Sequence, residues 1–133
     1  MDKPVTITVA AKPIAEGALL ALDAQSRTVA DAADRYAAHL IFGGTGKKAD
    51  IDEGAISGFW SDSLGGAYTA MGHGQATADG FVISYAYPDN AFVNRWRLAG
   101  DRVAWQIVAV DAKGAEQPFA SYALRKAPCH SAP

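Results

Sequence analysis

Apolar residues in the first half of the chain recur at intervals of three and four; beyond Gly66 they recur at every second position. Val5, Ile7 and Val9 alternate with Thr6 and Thr8, which predicts a short strand or extended arm over about 4–10. Lys12-Pro13 interrupts it. Proline suits the first turn of a helix, and Ile14, Ala18, Leu19 and Leu22 follow at helical spacing, so a first helix is predicted from about Pro13 to Gln25. Thr28-Val29-Ala30-Asp31 is close to a capping box, after which Val29, Ala32, Ala33, Tyr36, Ala37 and Leu40 line one face of a second helix. Leu40-Ile41-Phe42 reads as a short strand ended by Gly43-Gly44, with the polar loop TGKKAD after it.

The stretch EGAISGFWSDSLGG at 53–66 has two readings. Gly58-Phe59-Trp60 is similar to the Gly-x-Trp that opens the first strand of a lipocalin-type barrel. As a helix, Asp52 caps, Ile51 and Ile56 form a hydrophobic staple, and Ile56, Phe59, Trp60 and Leu64 share one face. As a strand, Phe59 and Trp60 point to opposite sides, and Ser57, Ser61 and Ser63 share a face with Phe59. The helical reading is preferred, with Gly65-Gly66 as its stop. The remainder reads as five strands, about 67–77, 81–87, 91–98, 102–110 and 118–125. They are separated by Ala78-Asp79-Gly80, Pro88-Asp89-Asn90, Ala99-Gly100-Asp101 and DAKGAEQP. Short connections make neighbouring strands antiparallel. The pattern therefore predicts an α+β domain: three N-terminal helices against one face of a curved antiparallel sheet.

The 133 residues suffice for a single domain, here 1–133 with a core over about 13–126 and a mobile tail over 127–133. Net charge of -2 provides no basic stripe for nucleic acid. Lys47-Lys48 and Arg125-Lys126 are isolated pairs of solvated charges. Cys129 is the only cysteine, so no intrachain disulfide forms. No signal peptide is read in MDKPVTITVA, and no segment reaches the ~20 apolar residues of a membrane helix. No membrane association is expected, and the expected compartment is the cytoplasm.

ADAADRYAAHLIFGG at 30–44, IDEGAISGFWSDSLGG at 51–66 and FVNRWRLAGDRVAWQIVAV at 92–110 together resemble the nuclear transport factor 2-like superfamily. That superfamily includes ketosteroid isomerases and SnoaL-like cyclases. The resemblance covers about 14–126 and lies in element order and spacing. It implies a cone-shaped, cystatin-like α+β roll around one apolar cavity. The ketosteroid isomerase site does not carry over. Its catalytic aspartate would fall near Gly44, with no carboxylate anywhere in 39–49, and its tyrosine would fall near Leu20; the oxyanion-side acid would fall near Asn94.

By the same resemblance, the cavity would be faced by Thr69, Met71 and His73, then Phe81, Ile83 and Tyr85, then Phe92, Asn94 and Trp96. A register slip of one residue would exchange each for its neighbour. The first functional expectation is a protein that binds a small apolar or aromatic molecule through Trp60, Thr69, Met71, Tyr85 and Trp96. The second is a cyclase, isomerase or dehydratase in which His73 moves a proton and Asn94 polarises a carbonyl. The third is a lipocalin-like barrel, disfavoured because six or seven strands fall short of eight. No cofactor is expected. Histidines 39, 73 and 130 lack ligand-like spacing, so no metal is expected either. GGTGKK at 43–48 lacks a phosphate loop's spacer, and no GxSxG is present. Arg95, Arg97 and Arg102 would form an outer patch. Because Val103, Trp105 and Ile107 alternate with Ala104, Gln106 and Val108, both sheet faces carry apolar residues, and a homodimer through the sheet is expected.

Overall fold

A computed structural model describes residues 3–44 and 54–128. Every long element in it is a strand: β1 (Val5–Ile14), β2 (Leu19–Thr28), β3 (Arg35–Gly44), β4 (Ala55–Asp62), β5 (Ala70–Ala76), β6 (Gly80–Ala86), β7 (Asn90–Ala99), β8 (Arg102–Asp111) and β9 (Glu116–Arg125). Each strand pairs antiparallel with the next in sequence, giving a meander that curls into a nearly closed nine-stranded barrel with β1 and β9 at its edges. Among the described residues, only two single 3-10 turns are helical, Ala15–Gly17 and Gly66–Tyr68. None forms a helix long and apolar enough to cross a membrane.

This overturns the α+β expectation and the cystatin-like cone implied by the nuclear transport factor 2-like resemblance. The stretch predicted as the first helix, 13–25, is the end of β1, a tight turn and most of β2; the second is a turn and β3; the third is β4. Alanine explains much of the error, because a small apolar residue fits either face of either element. In β2, Leu22 and Ala24 point inward and alternate with Asp23 and Gln25, while Ala21 on the outer face is also buried. In β3, Tyr36, Ala38, Leu40 and Phe42 alternate with Arg35, Ala37, His39 and Ile41. Both segments thus satisfy period 2 and period 3.6 at once. Pro13 does not start a helix; it sits in edge strand β1, where a missing N–H is tolerated, and Pro118 occupies the same kind of place in β9. The TGKKAD loop, the Ile51–Asp52 staple and the Cys129-His130 tail lie outside the described residues.

The five C-terminal strands lie where alternation places them, and their turns use the expected chemistry. Gly100 and Gly114 adopt φ of 61° and 81°, and Asp111 Oδ1 accepts hydrogen bonds from the Lys113 and Ala115 amides. Residues 118–120 of β9 bulge opposite Ile107/Val108. The bulge turns Phe119 towards Phe92, with ring centroids 5.0 Å apart.

The barrel interior is filled at its centre. Trp96 and Trp105 stack at 4.4 Å and 12°, Phe81 stacks on Trp96 at 5.8 Å, and Phe42 meets both Phe81 and Trp96 edge-on. Each such pair adds about 0.5–1.5 kcal/mol beyond area burial. Leu40, Ile83 and Ile107 close the remaining space. The room for these rings comes from β4 and β5, whose inward positions include Gly58, Gly72 and Gly74. A Cβ on Gly72 would press into the Tyr85 ring, and one on Gly74 would overlap the Val82 carbonyl and Ile83 Cα. A backbone neighbour cannot rotate away, so Gly74→Ala is expected to destabilise the protein by about 2 kcal/mol or more. Urea denaturation would show it, and a loss below ~0.5 kcal/mol would contradict this close β5–β6 approach.

Candidate functional site

The register fixes which predicted site residues meet. Gly72 and Gly74 face inward against Tyr85 and Ile83, so their neighbours His73 and Met71 face outward; Met71 is 61 % exposed. Thr69 lies just before β5 and is exposed. Asn94 faces inward and is 2 % exposed, its Oδ1 accepting from Trp105 Nε1 at 2.8 Å. His73 and Asn94 therefore occupy opposite faces of the sheet, and the structure does not assemble the proton-transfer pair. Trp60, Tyr85 and Trp96 do share the interior. The inward set 81, 83, 85 and 92, 94, 96 has the parity expected from the sequence, whereas β5 is one residue out of phase. Its inward positions are glycines, which carry no hydrophobic signal.

Inward side chains at one end of the barrel keep partial exposure. Tyr36 on β3, Trp60 and Asp62 on β4, Tyr87 just after β6, Phe92 on β7 and Tyr122 on β9 are all half-buried, while Tyr85, Trp105 and Asn94 deeper in are buried. Alternation along β4 puts Trp60 and Asp62 on the same inward face, opposite buried Leu40 and Ala38. Asp62 is held by three donors: Tyr36 Oη at 2.8 Å and Trp60 Nε1 at 3.0 Å, both to Oδ2, and the Leu64 amide at 3.0 Å to Oδ1. The Trp60 ring meets Tyr85 edge-on at 5.5 Å, and Tyr87 meets Phe92 at 5.6 Å. Tyr87 Oη donates to the Tyr68 carbonyl at 2.7 Å, which ties the β4–β5 connection to this mouth.

Burial pushes the Tyr36 phenol far above its ordinary range, and the hydrogen bond to Asp62 and that carboxylate's charge push the same way. Tyr87 is raised by burial and then by Asp62; Tyr85 and Tyr122 are raised chiefly by burial. The mouth is thus a set of protonated phenols and rings around one fixed carboxylate. Two polar atoms of the interior, Tyr85 Oη and Trp96 Nε1, are buried without a hydrogen-bond partner among the described residues. Native interiors seldom leave such groups unpaired.

Tyr36, Asp62, Tyr87 and Tyr122 were not legible as site residues. The usable signal was WSD at 60–62, which in a strand puts a tryptophan and a carboxylate on one face, but it was masked by the helical reading of 52–64.

A second arrangement lies on the outer face. Asp23, His39 and Ser61 stand side by side across β2, β3 and β4, with His39 Nδ1 and Asp23 Oδ1 2.7 Å apart. They border a shallow groove of about 260 Å³ shared with Gln25 and Ser63. Ser61 Oγ donates to the His39 carbonyl at 3.1 Å, not to the imidazole, so this row is not set up as a nucleophile and base. Among the described residues, no three His, Cys, Asp or Glu side chains converge as a metal site. No family model, curated protein or solved structure matches the chain, so its functional reading rests on the barrel and this mouth alone.

Proposed function

We propose that the chain is a small-molecule-binding β-barrel whose ligand sits at the Tyr36–Trp60–Asp62–Tyr87 mouth, with its inner end against Tyr85. Nine strands remove the objection that too few were available for such a barrel. The observation that carries the reading is Tyr85, 2 % exposed with its hydroxyl unpartnered among the described residues, below a ring of half-exposed aromatic side chains. Ligand sites commonly combine apolar walls with a few fixed polar groups in this way. The central stack of Trp96 and Trp105 confines the ligand to the mouth instead of the broad cone cavity expected from the sequence.

Trp60 reports on this site directly. Titration with small aromatic amphiphiles is expected to change tryptophan emission and raise the melting temperature, since a ligand at a hundredfold excess over Kd stabilises by about 2.7 kcal/mol. Tyr85→Phe separates the ligand role from packing. Without ligand it is expected to leave stability unchanged or raise it by up to ~1 kcal/mol, because an unpaired buried hydroxyl is removed. With ligand it is expected to weaken binding about tenfold, the ~1.4 kcal/mol of one lost hydrogen bond. If no compound shifts emission or melting, or if Tyr85→Phe destabilises by more than ~1.5 kcal/mol, the reading is wrong.

A further inference from the structure

We infer that the mouth selects an organic cation, a primary ammonium carried on an apolar or aromatic body. This inference rests on the binding reading above and specifies its ligand class.

The argument begins with the charge of Asp62. Its three donors are neutral groups, and the ion pairs among the described residues are Lys3–Asp34, His39–Asp23 and Arg102–Asp101, none of which involves it. The ladder register sends every lysine, arginine and histidine of the nine strands outward: Lys12, Arg27, Arg35, His39, His73, Arg95, Arg97, Arg102 and Arg125. Asp62, half-buried on the inward face of β4, therefore presents its negative charge at the mouth with no cation paired to it among the described residues.

The surroundings suit a cation in a second way. The faces of Tyr and Trp rings carry negative quadrupole density, and a cation within about 6 Å of a ring centre gains roughly 0.5–2 kcal/mol. Trp60, Tyr36, Tyr87 and Tyr122 supply such rings around one carboxylate. The hydrogen bonds from Tyr36 and Trp60 hold Oδ2 in place, while Oδ1 accepts from one donor among the described residues, the Leu64 amide, and keeps lone-pair capacity for an N–H donor. The Tyr85 oxygen is a further acceptor. An anion meets repulsion from Asp62, and the hydroxyls of Tyr36 and Tyr87 already donate to Asp62 and to the Tyr68 carbonyl.

Calorimetric titration with 2-phenylethylamine, 2-phenylethanol and phenylacetate at pH 7 and low salt tests the inference, using the intact protein. The amine is expected to bind at least about tenfold more tightly than the alcohol, a difference of ~1.4 kcal/mol, and the carboxylate more weakly than both. Raising the salt to about 0.5 M should weaken the amine alone, through screening. D62N keeps the size and one acceptor oxygen, and should bring amine and alcohol within about threefold by weakening only the amine. If D62N loses the wild-type circular dichroism spectrum, the wild-type salt series decides by itself. Equal binding of alcohol and amine, salt-insensitive amine binding, or an amine preference that survives in a folded D62N overturns the cation assignment and leaves the binding reading standing. Binding of none of the three overturns both.

Discussion

Trp105→Ala is expected to leave the protein largely unfolded at room temperature. Trp105 is 2 % exposed, stacks on Trp96 at 4.4 Å, and touches Tyr122 at 4.9 Å and Trp60 at 6.3 Å. Truncating a buried tryptophan to alanine costs about 3–5 kcal/mol. A second loss is added here, because its Nε1–H is the donor to Asn94 Oδ1, and Asn94 is itself 2 % exposed. An acceptor left unpaired in such a place costs roughly 1–3 kcal/mol more, less if water fills the new cavity. Against a total stability of about 5–15 kcal/mol, the sum removes most or all of the margin. Trp105→Phe isolates the second contribution: it retains a ring against Trp96 but offers Asn94 no donor, and should cost about 1–3 kcal/mol. Urea denaturation of both variants gives the comparison. A Trp105→Ala loss below ~2 kcal/mol would mean that the aromatic column does not hold the barrel together.

Stability should also fall steeply in alkali. Four of the five tyrosines, Tyr36, Tyr85, Tyr87 and Tyr122, have phenols raised above their ordinary range, each chiefly by burial. Below about pH 10 both folded and unfolded chains hold these protons, so the shift contributes nothing to pH dependence. Above it the unfolded chain releases protons that the fold retains. The unfolded state then binds fewer protons than the native state, and the stability of the fold declines as pH rises. Tyr85 alone, still protonated inside the barrel, accounts for a loss of roughly 2 kcal/mol by about pH 11.5. The half-buried three add smaller shares, since solvent screens them. Denaturation midpoints measured from pH 8 upward should be flat and then drop beyond pH 10, and Tyr85→Phe should make that drop shallower. A flat profile to pH 12 would place these phenols in water.

The mouth shows why part of the molecule was readable from sequence and part was not. From residue 80 onward, most of the large aromatic residues occupy inward positions and the turns carry Asp, Gly and Pro. The strand parity of Phe81, Ile83 and Tyr85, and of Asn94 and Trp96, follows from that pattern. In the first half, alanine occupies inward and outward positions alike, so spacing fits a helix and a strand equally. Only pairing with neighbouring strands chooses between them. The same ambiguity hid the site: Asp62 is two residues from Trp60 and 26 from Tyr36, and only the β3–β4 ladder makes the three one cluster. On β5 the sequence was misleading, since Met71 and His73 attract attention while the inward work of Gly72 and Gly74 is to make space.

By itself, the sequence determined an antiparallel meander beyond Gly66 with its turns, and an aromatic interior lined by Tyr85 and Trp96. Those properties are set by local alternation and turn chemistry, which act over a few residues. Tertiary structure alone decided that Leu19–Thr28, Arg35–Gly44 and Ala55–Asp62 also form strands, that the sheet curls into a barrel, and that Asp62 meets the tyrosines at its mouth. The free energy deciding these comes from long-range strand pairing and ring packing, which no window of neighbouring residues contains.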